Sequence, residues 1–412
     1  MPPKILIIAG ESSGDLHGSN LARAILRAEP GAEILGVGGP RMAAAGVRIL
    51  HDATKHAAVG IVEAVQHLGD FAALYRLLLS AVRREKPDVV VPIDFGDFNI
   101  RLCGWIRQEG VPIVYYISPQ VWAWGRWRAR KIARAVTKML VIFPFEEPLY
   151  RALGVDVEWV GHPLLDAVGD AAPNQSPAGL GSGQAVGGTE RGGLRAELGI
   201  PKDAFVVGLL PGSRTKEVRR LIGPIAGAAE ILAREIPGAR FLLAAADNVD
   251  PSAVAGIPPG LPVTLVTGRS HEVMAASNFL LTKSGSSTVE AALFGVPMVM
   301  TYKVSYLTLA LFWPLVKVKR FGMVNLLAGR DVVPEILQWH ATPEGIAAAA
   351  LDLIRGPGKL EAMKRGLAEV RAKLGTPGAS DRAARAVLGV AGRTTNNQPP
   401  TSKKTPTPNP QL

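Results

Sequence analysis

Short apolar runs alternate with longer amphipathic segments along most of this chain. The runs are rich in Val, Ile and Leu, which is typical of strands buried on both faces of a parallel sheet. They cover residues 5–9, 89–93, 111–117, 139–142, 206–210, 241–244, 263–266, 279–282 and 298–301, and helical periodicity between them includes residues 16–27, 71–84, 218–236 and 288–293. This repeated order predicts an α/β fold with parallel sheets covered by helices on both faces.

Two segments of biased composition divide this pattern. Residues 171–194 are rich in Gly, Ala, Ser and Pro, which predicts a flexible linker, and the α/β pattern starts again at Phe205. Residues 394–412 lack any apolar period, which predicts disorder. We therefore expect two doubly wound domains, residues 1–170 and 195–376, followed by a C-terminal helix at residues 377–393.

Length and composition indicate a large globular protein. The 412 residues predict two or three domains, and a hydrophobic content of 48% is enough for substantial cores. The single cysteine, Cys103, excludes an internal disulfide and indicates a reducing compartment. The apolar run at residues 5–8 has only the length of a strand, so no signal peptide is predicted.

The formal charge of +11 favours an anionic partner. Nucleic acid is not expected, because the chain has no zinc-finger spacing and no RNA-binding aromatic signature. The positive residues concentrate near residues 126–138 and 317–320, beside apolar segments. An anionic membrane surface fits that arrangement better.

The first polar loop follows the strand at residues 5–9, at the end of a parallel sheet where ligands bind. It contains Glu11, Ser13, Gly14 and Asp15, before a helix expected to start near Leu16. Free N–H groups at a helix start attract anions. A plain turn with capping residues is the alternative.

A second loop places Asp94 and Asp97 directly after the strand at residues 89–93. Two carboxylates at that position suit a general base that removes a hydroxyl proton. The alternative is that Asp97 caps the N-terminus of the following helix. The residues alone favour neither interpretation.

A third loop, Gly212, Ser213 and Arg214, ends the strand at residues 206–210 and precedes a helix that carries Glu217. A guanidinium beside exposed N–H groups suits a diphosphate. A turn with a solvated arginine is the alternative.

A companion loop with Gly285, Ser286 and Ser287 also follows a strand and opens a helix. Its small side chains let backbone amides approach phosphate oxygens, which favours the diphosphate interpretation for both loops. Glu290, expected in the first turn of that helix, can accept hydrogen bonds from ribose hydroxyls.

Tryptophan and basic residues follow the strand at residues 111–117. This segment contains Ser118, Gln120, Trp122, Trp124 and Trp127. Six basic residues lie among and after the tryptophans with no acidic residue between them: Arg126, Arg128, Arg130, Lys131, Arg134 and Lys138. Amphipathic rings beside unpaired cations suit anionic lipid or phosphate. A core tryptophan cluster beside a solvated helix face is the alternative, and the position at a strand end favours the ligand.

Residues 304–316 carry no formal charge and are flanked by cations. A spanning helix needs about 20 apolar residues, so this segment is too short to cross a bilayer. A buried core helix is the alternative to an interfacial helix, which the flanking cations favour. The membrane candidates are Leu309, Phe312, Trp313, Lys317, Lys319 and Arg320.

No metal site and no cofactor are predicted. The seven histidines form no i, i+4 pair, and the chain has no Asp-x-Asp motif. The nearest pattern, Asp156-Val157-Glu158, lies in a strand-like run.

Residues 118–124, Ser-Pro-Gln-Val-Trp-Ala-Trp, resemble the signature segment of lipid-A-disaccharide synthases. Seven further blocks resemble the family in the same order: residues 9–15, 93–99, 143–146, 161–163, 210–214 with Glu217, 284–290 and 325–329. The resemblance extends from about residue 4 to about residue 390.

This resemblance implies two Rossmann-like domains facing a central cleft, the GT-B type, in an inverting, metal-independent glycosyltransferase. The implied reaction transfers 2,3-diacylglucosamine from UDP to 2,3-diacylglucosamine 1-phosphate (lipid X), forming the β-1,6-linked disaccharide of lipid A and UDP. The implied location is the cytoplasmic face of the inner membrane, as a peripheral protein. The fold also implies that the C-terminal helix returns to the first domain, with a swapped homodimer as the alternative.

The resemblance also assigns roles to residues. Asp97 becomes the leading base, with Asp94 as its supporting or alternative group. The acceptor and lipid side would comprise Glu11, Ser13, Gly14, Asp15, Ser118, Gln120, Trp122, Trp124 and Arg126, and the UDP site would comprise Gly212, Ser213, Arg214, Gly285, Ser286, Ser287, Glu290 and Asn325.

Two other functions remain open from the sequence. A UDP-N-acetylglucosamine 2-epimerase-like enzyme shares this fold and UDP site, but its chemistry needs no apolar, cation-flanked segment. A non-catalytic UDP-sugar-binding membrane module is the third interpretation.

Overall fold

The computed structural model describes residues 2–53, 68–122, 127–168, 188–247, 249–304 and 320–395. These residues form two compact units. The first takes in the chain up to Asp166 and again from Leu374 onward, and the second is Ala167–Lys373.

A parallel sheet is the centre of the first unit. Its described strands are β1 (Lys4–Ala9), β2 (Glu33–Gly38), β3 (Arg48–Asp52), β4 (Val89–Ile93), β5 (Val114–Tyr116), β6 (Lys138–Val141) and β7 (Asp156–Trp159), in the order β3-β2-β1-β4-β5-β6-β7. Strands β1 and β4 are almost fully buried because their continuous Val and Ile runs are covered on both faces. The chain order reverses between them, and Ala9 lies opposite Ile93. The loops that follow β1 and β4 therefore start side by side.

Helices cover this sheet. They are α1 (Ser12–Ala28), α2 (Pro40–Ala44), α3 (Leu68–Glu85), α4 (Gly96–Gln108), α5 (Trp127–Ala135), α6 (Glu146–Arg151) and α7 (Leu164–Val168), where the first unit ends. Apolar side chains of α3, α4 and α5 share one core with alternate residues of the sheet, including Leu78, Leu102, Ile132, Tyr115 and Cys103. Burial raises the pKa of the Cys103 thiol, so this cysteine packs as a small apolar residue.

The C-terminal helix α15 (Ala379–Thr395) belongs to the first unit and packs on α1. The Asp166 carboxylate accepts hydrogen bonds from the amides of Gly378, Ala379 and Ser380, at 2.6, 3.2 and 2.8 Å. A carboxylate at this position satisfies N–H groups that a helix start leaves without partners. The start of α15 is thereby tied to the end of the N-terminal part of the first unit.

The second unit repeats the design with a smaller sheet. Its described strands are β8 (Val206–Leu210), β9 (Arg240–Ala245), β10 (Val263–Thr267), β11 (Phe279–Lys283), β12 (Met298–Tyr302) and β13 (Glu335–Leu337), in the order β10-β9-β8-β11-β12-β13. Its helices are α8 (Gly188–Glu197), α9 (Thr215–Glu235), α10 (Ser270–Ala276), α11 (Ser286–Leu293), α12 (Met323–Ala328), α13 (Pro343–Arg355) and α14 (Lys359–Lys373). The order reverses between β8 and β11, where Leu210 lies opposite Thr282.

Both sheets are parallel throughout their described pairs, which confirms the predicted α/β class. The sequence analysis did not predict strands β2, β3 and β13, and it described β7 only as a strand-like run. Strand β3 is only partly buried and β13 lies at the edge of its sheet, so neither carries a continuous apolar run. Helix α8 begins at Gly188, inside the range assigned to the linker, while residues 171–187 lie outside the described residues.

Candidate active site

The loop after β1 is shorter than predicted, because α1 begins at Ser12 rather than near Leu16. Glu11 is the extended N-cap residue, and its carbonyl accepts a hydrogen bond from the Asp15 amide at 2.8 Å. Ser13 and Gly14 lie in the first turn of the helix, where Ser13 is exposed and Gly14 is buried against Ala9.

Asp15 has a structural role, and its predicted place on the acceptor side stays a prediction. Its buried carboxylate accepts hydrogen bonds from the amides of Gly39 (2.8 Å), Arg41 (3.0 Å) and Met42 (3.0 Å). These amides open helix α2, and an anion is favourable there. The side chain therefore holds α2 against α1 and has little capacity left for a ligand.

The loop after β4 touches the loop after β1. A side chain at Gly10 would collide with the ring of Phe95, so glycine is required for this close approach. Asp94 and Phe95 have φ angles of 44° and 57°, which is the left-handed region. Non-glycine residues in that region store strain, which is frequent at functional sites.

Hydrogen bonds hold this strained turn. The Asp94 carbonyl accepts from the Tyr115 hydroxyl at 2.7 Å and from the side-chain amide nitrogen of Asn99 at 2.9 Å. Asp94 itself is exposed at the strand end, as a base would need to be. Asp97 is the second residue of α4, and Phe95 occupies the N-cap position, so Asp97 is not the cap. The placement of the Asp97 side chain lies outside what the structure describes.

The segment after β5 is partly buried rather than a free aromatic surface. The Ser118 hydroxyl is buried and lies 2.6 Å from the hydroxyl of Tyr150. The half-buried Trp122 packs edge-on against Phe145, with ring centroids 5.3 Å apart. Gln120 is exposed. Trp124 and Arg126 lie outside the described residues.

The prediction that the basic residues after Trp122 form a cluster of unpaired cations is wrong for two of them, Arg128 and Lys138. Arg128 is buried, with 3% of its surface exposed. Lys138 is in ion pairs with Asp156 (3.3 Å) and Glu158 (3.0 Å) on the neighbouring strand. Parallel pairing of β6 and β7 brings these acids across, although they are distant along the chain.

Helix α5 keeps an exposed aromatic and cationic face. Trp127 is 59% exposed, and the Lys131 ammonium lies 4.7 Å from the centre of its ring. Arg320 of the second unit is paired with Asp331 at 2.6 Å. The other membrane candidates, Leu309, Phe312, Trp313, Lys317 and Lys319, lie outside the described residues.

Glu146 was not predicted as a site residue, although it lies in one of the blocks that carry the resemblance. Its side chain is buried, and one carboxylate oxygen accepts a hydrogen bond from the Phe143 amide at 3.2 Å. Burial raises the pKa of this carboxyl to about 8, partly opposed by that hydrogen bond. A neutral carboxyl therefore lies beside the Trp122–Phe145 pair at neutral pH.

The loop after β8 opens helix α9. Gly212 has a φ of 135°, which favours glycine, and Ser213 is exposed. Arg214 occupies the N-cap position, and its guanidinium lies 3.4 Å from Glu217, in the first turn of the helix. The side chain of Arg214 is about half exposed, which leaves it accessible to a ligand.

The loop after β11 lies next to it because β8 and β11 are paired. Gly285 has a φ of 151°, and Ser286 and Ser287 open α11 as predicted. The Ser287 hydroxyl donates to the carbonyl of Lys283 at 3.1 Å and lies 3.2 Å from the hydroxyl of Thr282. Ser286 is exposed, so its hydroxyl can reach a ligand.

Glu290 is paired with a residue that the sequence analysis did not single out. One of its carboxylate oxygens lies 3.0 Å from Nε2 of His271, on α10. This contact raises the pKa of His271, and burial of the ring opposes part of that rise. The pair joins helices α10 and α11, which follow β10 and β11.

Asn325 is hydrogen-bonded within the second unit, and the UDP-binding role predicted for it stays a prediction. Its amide nitrogen donates to the Val333 carbonyl (2.7 Å) and Glu335 (2.8 Å). Its amide oxygen accepts from the amides of Val332 (2.7 Å) and Val333 (2.9 Å). All of its strong hydrogen-bonding capacity is used within the unit, so Asn325 fixes the loop before β13.

Two absences apply to the part of the chain that the structure describes. No group of three or more His, Cys, Asp or Glu side chains could hold a metal ion there. No helix within it combines the length and apolar character needed to cross a membrane.

Comparison with known proteins places the chain among its relatives. A family model described as lipid-A-disaccharide synthetase matches residues 5–388. The chain is 41% identical over 385 residues to the lipid-A-disaccharide synthase of Syntrophus aciditrophicus (strain SB), covering 92% of this chain and 96% of that protein. It is 41% identical over 392 residues to the synthase of Geobacter metallireducens, covering 95% and 98%.

Solved structures show the same fold at low sequence identity. A UDP-GlcNAc 2-epimerase from Neisseria meningitidis, bound to UDP-GlcNAc, has a TM-score of 0.62 at 14% identity and covers 94% of this chain and 100% of its own. A calicheamicin glycosyltransferase has a TM-score of 0.56 at 17% identity, covering 95% and 99%. Since the family model and the 41% identical relatives span nearly its whole length, the chain belongs to the lipid-A-disaccharide synthase family of glycosyltransferases.

Proposed function

We propose that this chain transfers a 2,3-diacylglucosamine unit from UDP-2,3-diacylglucosamine to the 6-hydroxyl of 2,3-diacylglucosamine 1-phosphate, lipid X. The products are the β-1,6-linked lipid A disaccharide 1-phosphate and UDP, in lipid A biosynthesis for the Gram-negative outer membrane. The family match over residues 5–388 carries this proposal. The polar loops at the reversal of strand order in each unit support it, because open α/β sheets bind ligands there.

The UDP moiety is assigned to the second unit. The amides that open α9 and α11 attract a diphosphate, and the accessible Arg214 adds charge-assisted hydrogen bonds. Glu290 would accept hydrogen bonds from the ribose hydroxyls, with His271 holding its carboxylate. These contacts orient the donor sugar.

The acceptor is assigned to the first unit, with Asp97 as the leading base and Asp94 as its supporting or alternative group. The base takes the proton of the 6-hydroxyl while that oxygen forms a bond to the anomeric carbon. The bond from this carbon to the diphosphate breaks, and its electron pair leaves with UDP. Attack opposite the leaving group inverts the anomeric centre.

The leaving diphosphate needs its negative charge countered. The proposed mechanism uses Arg214, the loop amides and the N-terminal dipoles of two helices for this, without a metal ion. A preorganised set of donors of this kind stabilises charge that develops in the transition state.

Peripheral attachment to the inner face of the inner membrane is also part of the proposal, since both substrates carry acyl chains. The exposed Trp127 and Lys131 of α5 suit a lipid headgroup region. Residues 304–316 supply the second apolar contact in this proposal.

The test is UDP release by the full chain mixed with the two lipid sugars, separately and together. The synthase should release UDP only when both are present. A 2-epimerase-like enzyme would act on the UDP-linked sugar without the acceptor, and a binding module would release no UDP under any condition. Either of those results would contradict the proposal.

A further inference from the structure

Lys283 is the last residue of β11, at the reversal of strand order in the second unit. Its ammonium lies 3.0 Å from Oε1 of Glu217, on the neighbouring helix α9. A side chain added at Gly285 would meet this ammonium at 3.4 Å, so the lysine lies over the loop that opens α11. Only 17% of the side chain is exposed, and the Tyr302 ring lies 5.9 Å away.

Glu217 is the acidic group between two cations. Oε1 accepts from Lys283 at 3.0 Å and from Arg214 at 3.4 Å. Its second oxygen, Oε2, is buried and has no hydrogen-bond partner among the described residues. A side chain at Gly212 would lie 2.9 Å from Oε2, so the carboxylate also borders the loop after β8.

This cluster therefore joins the two loops assigned to the diphosphate. Lys283 and Arg214 both contact the same carboxylate oxygen, so one acidic group serves two cations at the edge of the site. A diphosphate carries more negative charge than one carboxylate and presents more acceptor oxygens. Both cations can exchange Glu217 for phosphate oxygens by rotating flexible side chains.

We propose that Lys283 is a second cationic diphosphate-binding residue beside Arg214, and that Glu217 holds both cations in place while no nucleotide is bound. The inference rests on the proposed donor site in the second unit. The lysine adds a compact charge with three donors, whereas Arg214 adds a planar fork. The loop amides and two side chains then share the charge of the leaving group.

Calorimetric titration of the full chain with UDP and with UMP tests this proposal. Lys283→Ala should weaken UDP binding at least tenfold, since a hydrogen bond to a charged group is lost. UMP should lose much less, because it lacks the β-phosphate. Lys283→Arg should recover most of the UDP affinity. Lys202→Ala removes an equal charge from an exposed turn of the same unit and should match the unaltered chain.

Glu217 variants separate binding from structure. Lys283→Ala alone leaves a partly buried carboxylate with one partner fewer, which can destabilise the unit. The double variant Lys283→Ala/Glu217→Gln removes that cost and should keep the UDP defect. Glu217→Gln alone should bind UDP at least as tightly as the unaltered chain, since a competing anion is gone.

Failure of the donor site and failure of the role of Lys283 give different results. An unaltered chain that binds neither nucleotide would overturn the donor site. An unaltered chain that binds UDP while Lys283→Ala retains full affinity, or loses UDP and UMP equally, would overturn the role of Lys283. Equal losses in Glu217→Gln and Lys283→Ala would show that the lysine acts only through Glu217, which also overturns it.

Discussion

Replacing Glu146 with Gln, which cannot ionise, should make the protein more stable at neutral and alkaline pH. The carboxyl is buried, and its pKa is raised from 4.5 to about 8. Between these values the folded chain keeps a proton that the unfolded chain has released. Stability from this group is therefore complete below pH 4.5 and is lost as the pH rises toward 8.

The size of the effect follows from the two pKa values. Each pH unit between them costs about 1.4 kcal/mol, so the full loss approaches about 5 kcal/mol, of which about 3 kcal/mol has accrued by pH 7. Gln cannot ionise, and its amide oxygen can still accept from the Phe143 amide at the position where Glu146 accepts at 3.2 Å. The variant should therefore lack this pH dependence.

Chemical denaturation of the full chain from pH 4 to pH 9 measures the difference between the two proteins, so that other titrating groups cancel. Glu147→Gln is the matched control, because Glu147 is the next residue on α6 and pairs with Arg151 near the surface. The free-energy difference should grow with pH for Glu146→Gln and stay nearly flat for the control. Parallel curves for Glu146→Gln and the unaltered chain would refute the reasoning.

Three further predictions concern catalysis and the donor site. Asp97→Asn should lower turnover roughly 10²–10⁴-fold while UDP binding stays intact. A larger loss of turnover in Asp94→Asn would assign the base role to Asp94, and normal turnover in both variants would contradict the proposed base. Arg214→Ala should weaken UDP binding in a calorimetric titration, since a charge-assisted contact is lost, and unchanged affinity would contradict the assignment. The His271 ring should titrate by NMR with a midpoint above 6.5, and the midpoint should move toward that value in Glu290→Gln. The stabilising contribution of the His271–Glu290 pair is then complete below pH 6.5 and is lost as the pH rises through the raised pKa of His271. Equal midpoints in the two proteins would exclude the pair in solution.

Much of the fold could be predicted because buried parallel strands leave continuous apolar runs. Strands β4 and β8 have the bounds predicted for them, at residues 89–93 and 206–210. Strands β3 and β13 could not be found this way, because partial exposure lets polar residues enter the run. The loops of both candidate sites could also be predicted, because small and polar residues interrupt the apolar pattern directly after a strand.

The amino-acid sequence by itself determined the α/β class, the two-part organisation and the positions of loops at strand ends. The partners of each side chain were decided only by the tertiary structure. The sequence does not show that the amides of α2 donate to Asp15, or that the loop before β13 surrounds Asn325. Lys283 finds Glu217 across 66 residues because β8 and β11 are neighbours in the sheet. Local pattern records which side chains are buried, whereas hydrogen bonds and charges depend on distances that only strand order and helix packing set.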